Sequence, residues 1–194
     1  KRVSGKTDEQ GIATMTVTLP HEGTVKLEAS SGSLAARESH RGLSLTFKQA
    51  TSKLIDGFVK VKQLKKTGAV NHVTQTSLEV KEGKVAVKLK LDPALSPHGS
   101  VKKRLSAPLD LSKYSNGGFI GWWMYRDGPG SLESVTLMVG QRELATFQGP
   151  FSSGWQYYKT NVPLPGSLSD YRFDFAGLQG EEFNLLIDDL RVHQ

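Results

Sequence analysis

Residues 117–126 read Gly-Gly-Phe-Ile-Gly-Trp-Trp-Met-Tyr-Arg. Turn formers bound the run: Tyr-Ser-Asn before it, Asp-Gly-Pro-Gly after it. An apolar, aromatic run closed at both ends by turn residues reads as a β-strand. In a strand, successive side chains point to opposite faces. Phe119, Gly121, Trp123 and Tyr125 therefore share one face, and Ile120, Trp122, Met124 and Arg126 the other. Both sets are large. The strand belongs in the middle of a sheet, with one face in the core and the other covered or used.

The rest of the chain supplies strands around this one. Val85, Val87, Leu89 and Leu91 alternate with Lys84, Ala86, Lys88 and Lys90 after the Lys81-Glu82-Gly83-Lys84 turn, a half-buried strand pattern. Further strands are expected over 58–62, 73–80, 101–105, 134–139, 143–147, 155–162, 171–175 and 183–192. Residues 67–71 read as loop. No segment carries a helical period. Roughly eight short strands over 54–194, at sandwich spacing, predict an antiparallel β-sandwich. Residues 1–48 are set apart by a polar linker at Gln49–Lys53. They offer strands at 12–19, 24–29 and 43–47, too few to stand alone.

Composition narrows the function classes. The 194 residues are enough to bury a core without staples, and there is no cysteine for a disulfide frame or a thiolate metal site. The net charge of +6 and pI of about 9.5 favour anionic partners. No apolar run approaches the ~20 residues that span a bilayer. The chain opens Lys-Arg-Val-Ser-Gly-Lys-Thr-Asp, hydrophilic and without a leader, which reads as a piece cut from a longer protein.

Two resemblances add to this reading. Thr-Asp-Glu-Gln-Gly-Ile-Ala (7–13), followed by Gly-Thr-Val-Lys-Leu-Glu-Ala (23–29), is similar to the second half of a bacterial immunoglobulin-like domain. Over 54–194, three pieces carry the other. They are Leu-Asp-Leu-Ser-Lys-Tyr (109–114) leading into the aromatic strand, Gly-Trp-Gln-Tyr-Tyr-Lys (154–159), and Phe-Asn-Leu-Leu-Ile-Asp-Asp-Leu-Arg-Val (183–192). Their order and spacing resemble the galactose-binding-like jelly-roll domains, which include many carbohydrate-binding modules. This implies a jelly-roll sandwich preceded by a partial immunoglobulin-like element. It implies a secreted or surface setting, polysaccharide as partner beside other domains of a parent protein, and a binding rather than catalytic role. The same fold also serves as a plain structural or adhesion domain.

Candidate residues follow. Trp122, Trp123, Tyr125, Trp155, Tyr157 and Tyr158 are the possible sugar-stacking rings. Trp123 and Trp155 are assigned to the core, and Trp122, Tyr125, Tyr157 and Tyr158 to a ligand. Lys84, Lys88 and Lys90 line one strand, with Lys60, Lys62, Lys102, Lys103 and Arg104 adding charge. Such a patch suits an acidic polysaccharide; its alternative is a solvated face that blocks edge pairing. No nucleic-acid motif is present. Within the resemblance, Asp188 and Asp56 are the candidates for a structural calcium, an ion that takes oxygen ligands. The five histidines are scattered, and no nucleophile elbow or phosphate loop appears. Adjacent acids such as Glu181-Glu182 and Asp188-Asp189 point to opposite faces of a strand and form no acid–base pair.

Overall fold

A computed structural model of the chain describes residues 23–27, 43–47, 52–160 and 162–194. The chain divides into two compact units, Lys1–Ala50 and Thr51–Gln194. In the first, β1 (Gly23–Leu27) pairs antiparallel with β2 (Leu43–Phe47). The expected strand at 12–19, and most of the immunoglobulin-like signature, lie outside the described residues.

The second unit is an antiparallel β-sandwich. Its strands are β3 (Ser52–Asp56), β4 (Lys65–Gly68), β5 (Val70–Thr76), β6 (Ala86–Leu91), β7 (His98–Asp110), β8 (Phe119–Asp127), β9 (Ser134–Val139), β10 (Arg142–Gln148), β11 (Gln156–Lys159), β12 (Ser167–Ala176) and β13 (Phe183–His193). One sheet has five strands in the order β10-β9-β12-β7-β4. The other has six, in the order β11-β8-β13-β6-β5, with β3 continuing the β6 side of β13. The aromatic strand β8 lies between β11 and β13, inside the six-stranded sheet as its two-sided apolarity requires.

Alternation builds the core. Val135, Leu137 and Val139 of β9, Tyr171, Phe173 and Phe175 of β12, and Phe183, Leu185 and Ile187 of β13 are all buried. From β8 the inward set is Ile120, Trp122 and Met124. Trp122 is fully buried and meets Phe147 of β10 and Phe173 of β12 edge-on, at ring separations of 5.4 and 5.3 Å. These rings join the two sheets. Each such side chain contributes roughly 1.5–3 kcal/mol by leaving water.

The structure corrects several local expectations: Ser52 and Lys53, read as linker, belong to β3, and the strand expected over 155–162 is confined to Gln156–Lys159. Residues 58–62 are not a strand. Phe58 takes a left-handed φ of 55° and is buried, while Val59 is 69% exposed and Val61–Gln63 form a 3-10 turn. The turn is held from both sides: Asp56 Oδ1 accepts the Phe58 N–H at 2.7 Å, and Gln75 Nε2 donates to the carbonyls of Phe58 and Val59. Residues 67–71 are not loop but the junction of β4 and β5. Gly68 turns the chain there at φ 60°, where a Cβ would lie 2.2 Å from the His98 carbonyl oxygen. The strand expected over 73–80 stops at Thr76, and the following residues form a loop that returns across the sheet.

Candidate functional site

The outward set of β8 is Phe119, Gly121, Trp123 and Tyr125, opposite the buried Ile120, Trp122 and Met124. β11 runs antiparallel beside it and places Tyr157 across from Trp123 and Lys159 across from Gly121. On the other side β13 places Leu186 across from Tyr125, Asp188 across from Trp123, Arg191 across from Gly121 and His193 across from Phe119. These residues share the outer face of the six-stranded sheet.

The rings pair along the face. Trp155, just before β11, packs on Tyr125 at 5.7 Å, and Trp123 packs on Tyr157 at 5.1 Å. Phe119 stacks on His193 at 4.9 Å with the planes 15° apart. Tyr157 links the last two of these pairs. Its ring lies across Gly121, where a Cβ would come within 1.9 Å of the phenol oxygen. Its hydroxyl meets His193 Nε2 at 3.1 Å. Tyr157 thus bridges from β11 over β8 to β13, and only glycine at 121 leaves it room.

Electrostatics set the protonation states. Burial, reinforced by Asp189, raises the Tyr157 phenol above its ordinary range. Burial also holds His193 below its usual 6.5, with Arg191 acting in the same direction and Asp189 opposing. The ring is therefore mostly neutral at pH 7. A bulge in β13 at 188–191 carries Asp189 at a left-handed φ of 51°. Its carboxylate accepts from Arg191 Nε at 2.6 and 2.7 Å. Asp188 is buried and accepts the backbone N–H groups of Lys81 and Glu82 at 2.9 and 2.8 Å. Burial raises its pKa, and those two bonds act against the rise. The bonds pin the 77–85 loop to the sheet and deliver Lys81 Nζ to 4.5 Å above the Trp123 ring. Lys159 Nζ sits 5.3 Å from the centre of the Phe119 ring.

Of the ring candidates, Tyr125 and Tyr157 are on the outer face. Trp122 is not: it is a core residue. Tyr158 also points inward, stacking on Trp122 and touching Phe147 and Phe151. Trp123 and Trp155, assigned to the core, belong to the outer face instead. The physical reason is the direction of the pleat, which alternation leaves open until the partner strand is known. Phe119, His193, Arg191, Lys81 and Lys159 were missed. The spacing Trp155-x-Tyr157-x-Lys159 held a clue, since the set that ends in lysine faces water.

The basic stripe is less bare than it reads. Lys88 pairs with Glu79 at 3.2 Å, and Lys90 pairs with Glu182. Lys84 is exposed in the turn before β6. Lys60 and Lys62 are in the turn after Phe58, and Lys102 and Lys103 belong to the other sheet, so these charges do not form one patch. Asp56 and Asp188 are not brought together. Asp188 faces outward under the 77–85 loop. Asp56 is in the core, where it accepts from Lys103 Nζ at 2.6 Å, from the Phe58 N–H and from the Tyr171 hydroxyl. Among the described residues no group of three or more His, Asp or Glu gathers as metal ligands.

Two of the surface clefts formed by the described residues are well defined. One, of about 440 Å³, lies among end loops beside Arg126, whose guanidinium is occupied by the carbonyls of Phe151, Gly128 and Gly130. The other, of about 370 Å³, is lined in part by Phe119 and Lys159 and so adjoins the ring tract. With Asp188 and Asp189 occupied, this part of the face offers a ligand ring planes, cationic side chains and a Tyr–His pair.

No protein-family model and no curated protein matches the sequence. Among solved structures the chain is similar to an exo-β-agarase, with TM-score 0.54 and 8% identity over 72% of this chain and 25% of that one. It spans about a quarter of the length of that structure. It is also similar to a carbohydrate-binding module studied for the promiscuous specificity of the β-sandwich superfamily, with TM-score 0.50 and 9% identity over 87% of this chain and 85% of that one. At these identities the likeness establishes the fold: an all-β chain whose two antiparallel sheets form a sandwich of the kind found in carbohydrate-binding modules.

Proposed function

We propose that this chain is a non-catalytic carbohydrate-binding module of a larger secreted or surface protein, and that it holds a polysaccharide against the outer face of its six-stranded sheet, near a partner catalytic domain. One observation carries the reading. Five aromatic rings, those of Phe119, Trp123, Tyr125, Trp155 and Tyr157, collect on the outside of the sheet, and Tyr157 is 41% exposed. An apolar aromatic tract left outside the core marks an interaction surface. The apolar C–H face of a pyranose fits such rings, and its hydroxyls find Tyr157, His193 and Arg191 at the edges. The two similar structures agree with this reading at the level of fold.

The test is a glycan-array screen of the purified chain, followed by calorimetric titration of the best binder. Trp123→Ala and Tyr157→Ala are expected to weaken binding about tenfold or more, the loss typical of a central ring at an interface. Thermal melting should still report a folded sandwich. If the wild-type chain binds no polysaccharide at high concentration, the binding-module reading fails and a structural or adhesion role takes its place.

A further inference from the structure

We infer that the polymer held on this face is anionic, its carboxylate or sulfate groups read by Lys81 and Lys159; the inference rests on the reading of the face as a glycan platform.

The argument starts from which lysines are already neutralised. Lys88, Lys90, Lys102 and Lys103 each have a carboxylate partner, namely Glu79, Glu182, Asp170 and Asp56. Lys81 and Lys159 are exposed, and among the described residues neither has a carboxylate within 4 Å. They sit instead over two rings of the tract, Trp123 and Phe119. Those rings are four residues apart on β8, roughly 13 Å at ~3.3 Å per residue, so one extended oligosaccharide would meet both. The nearby carboxylates do not cancel these charges by direct pairing. Asp189 is held by Arg191, and Asp188 is buried under two backbone N–H groups.

The placement of Lys81 is built rather than incidental. Asp188 fixes the backbone of Lys81 over the sheet, which leaves the long side chain to reach across Trp123. An ammonium resting on an exposed ring is weakly held compared with one in a charge-assisted hydrogen bond. Each lysine can therefore leave its ring for a ligand anion, and the ring face is then free for the sugar. At the other ring, the 370 Å³ cleft beside Phe119 has Lys159 on its wall and Ser115, Gly117, Gly118 and Thr160 around it. It is the place for a charged sugar residue: a ring below, a cation beside it, and the backbone of the 115–118 turn at its rim.

The experiment compares matched polymers by calorimetry at about 0.15 M salt: polygalacturonate against its carboxyl-reduced form, and a sulfated galactan against its desulfated form. The variants are Lys81→Gln and Lys159→Gln, with Lys65→Gln on the other sheet as a control for net charge and Trp123→Ala as a control for the platform. The expected result is that the acidic member of one pair binds at least tenfold more tightly than its neutral counterpart. Lys81→Gln and Lys159→Gln should each cost that acidic member about fivefold and leave the neutral member unchanged, while Lys65→Gln does nothing. Which pair responds identifies the group as carboxylate or sulfate. Equal binding within both pairs, lost on Trp123→Ala, overturns this inference and leaves the platform standing. Acidic binding that ignores Trp123→Ala and falls equally with Lys65→Gln is diffuse attraction and overturns both readings. Failure of every polymer to bind also overturns both.

Discussion

Gly121→Ala tests whether the site is assembled as described. Gly121 does not have a positive φ, so alanine fits its backbone. The new methyl points into Tyr157, where the ideal Cβ falls 1.9 Å from the hydroxyl oxygen and 2.5 Å from Cζ. Tyr157 is on an edge strand and partly exposed, so its ring swings out and the strand stays in place. Two interactions go with it: the ring pair with Trp123, about 0.5–1.5 kcal/mol, and the hydrogen bond to His193, about 0.5–1.5 kcal/mol. Alanine returns about 0.4–1 kcal/mol by restricting the unfolded chain. The net loss of stability is about 0–2.5 kcal/mol, roughly 2–4 °C of melting temperature per kcal/mol for a chain of this size. The variant is therefore folded, yet it should lose as much glycan affinity as Tyr157→Ala. A double-mutant cycle sharpens the point. With Tyr157 already alanine there is nothing for the methyl to strike, so Gly121→Ala should then be neutral or stabilising in urea unfolding. If Gly121→Ala costs the same with or without Tyr157, the ring does not lie across residue 121. The bridge from β11 to β13 would then be wrong.

Trp122→Ala is expected to cost about 3–5 kcal/mol as a cavity in the core, whereas Trp123→Ala should weaken glycan binding about tenfold or more in a protein that still unfolds cooperatively; urea melts and titrations on the same samples separate the two. Asp56→Ala leaves Lys103 charged and buried without its partner and should cost about 3–5 kcal/mol, while the paired change Asp56→Leu with Lys103→Met should cost less than either single change in chemical denaturation. His193 has a depressed folded-state pKa, so its contribution to stability is present above the ordinary 6.5 and is lost as the pH falls through the lower folded value. Denaturation at stepped pH should show this loss in the wild type and not in His193→Gln, and an NMR titration should place the His193 midpoint below 6.5.

Much of the fold was legible because a sandwich core is an alternation pattern, and alternation is local. Val87, Leu89 and Leu91, or Val135, Leu137 and Val139, state their inward face within six residues. The site was legible only as a pool of rings. In β8 both faces are large and apolar, and the period of two that separates Trp122 from Trp123 says nothing about which set meets the other sheet. That choice is made elsewhere, by Phe147 and Phe173, which close around Trp122 from the opposite sheet. The polar residues were harder still. Asp56 and Asp188 read as one pair of acids, yet Lys103 claims the first from the opposite sheet and a loop 107 residues away in sequence claims the second. The face draws on 81, 119–125, 155–159 and 186–193, and only strand pairing brings them together. A surface made this way leaves no contiguous motif. Its core asks only for apolar alternation, which many sequences satisfy, and its outer face is free of that demand. This accounts for a chain that shares its fold with solved structures at 8 or 9% identity while no sequence family claims it. If the proposed glycan platform holds, specificity would rest with the residues on the outside of β8, β11 and β13, which the core pattern leaves unconstrained.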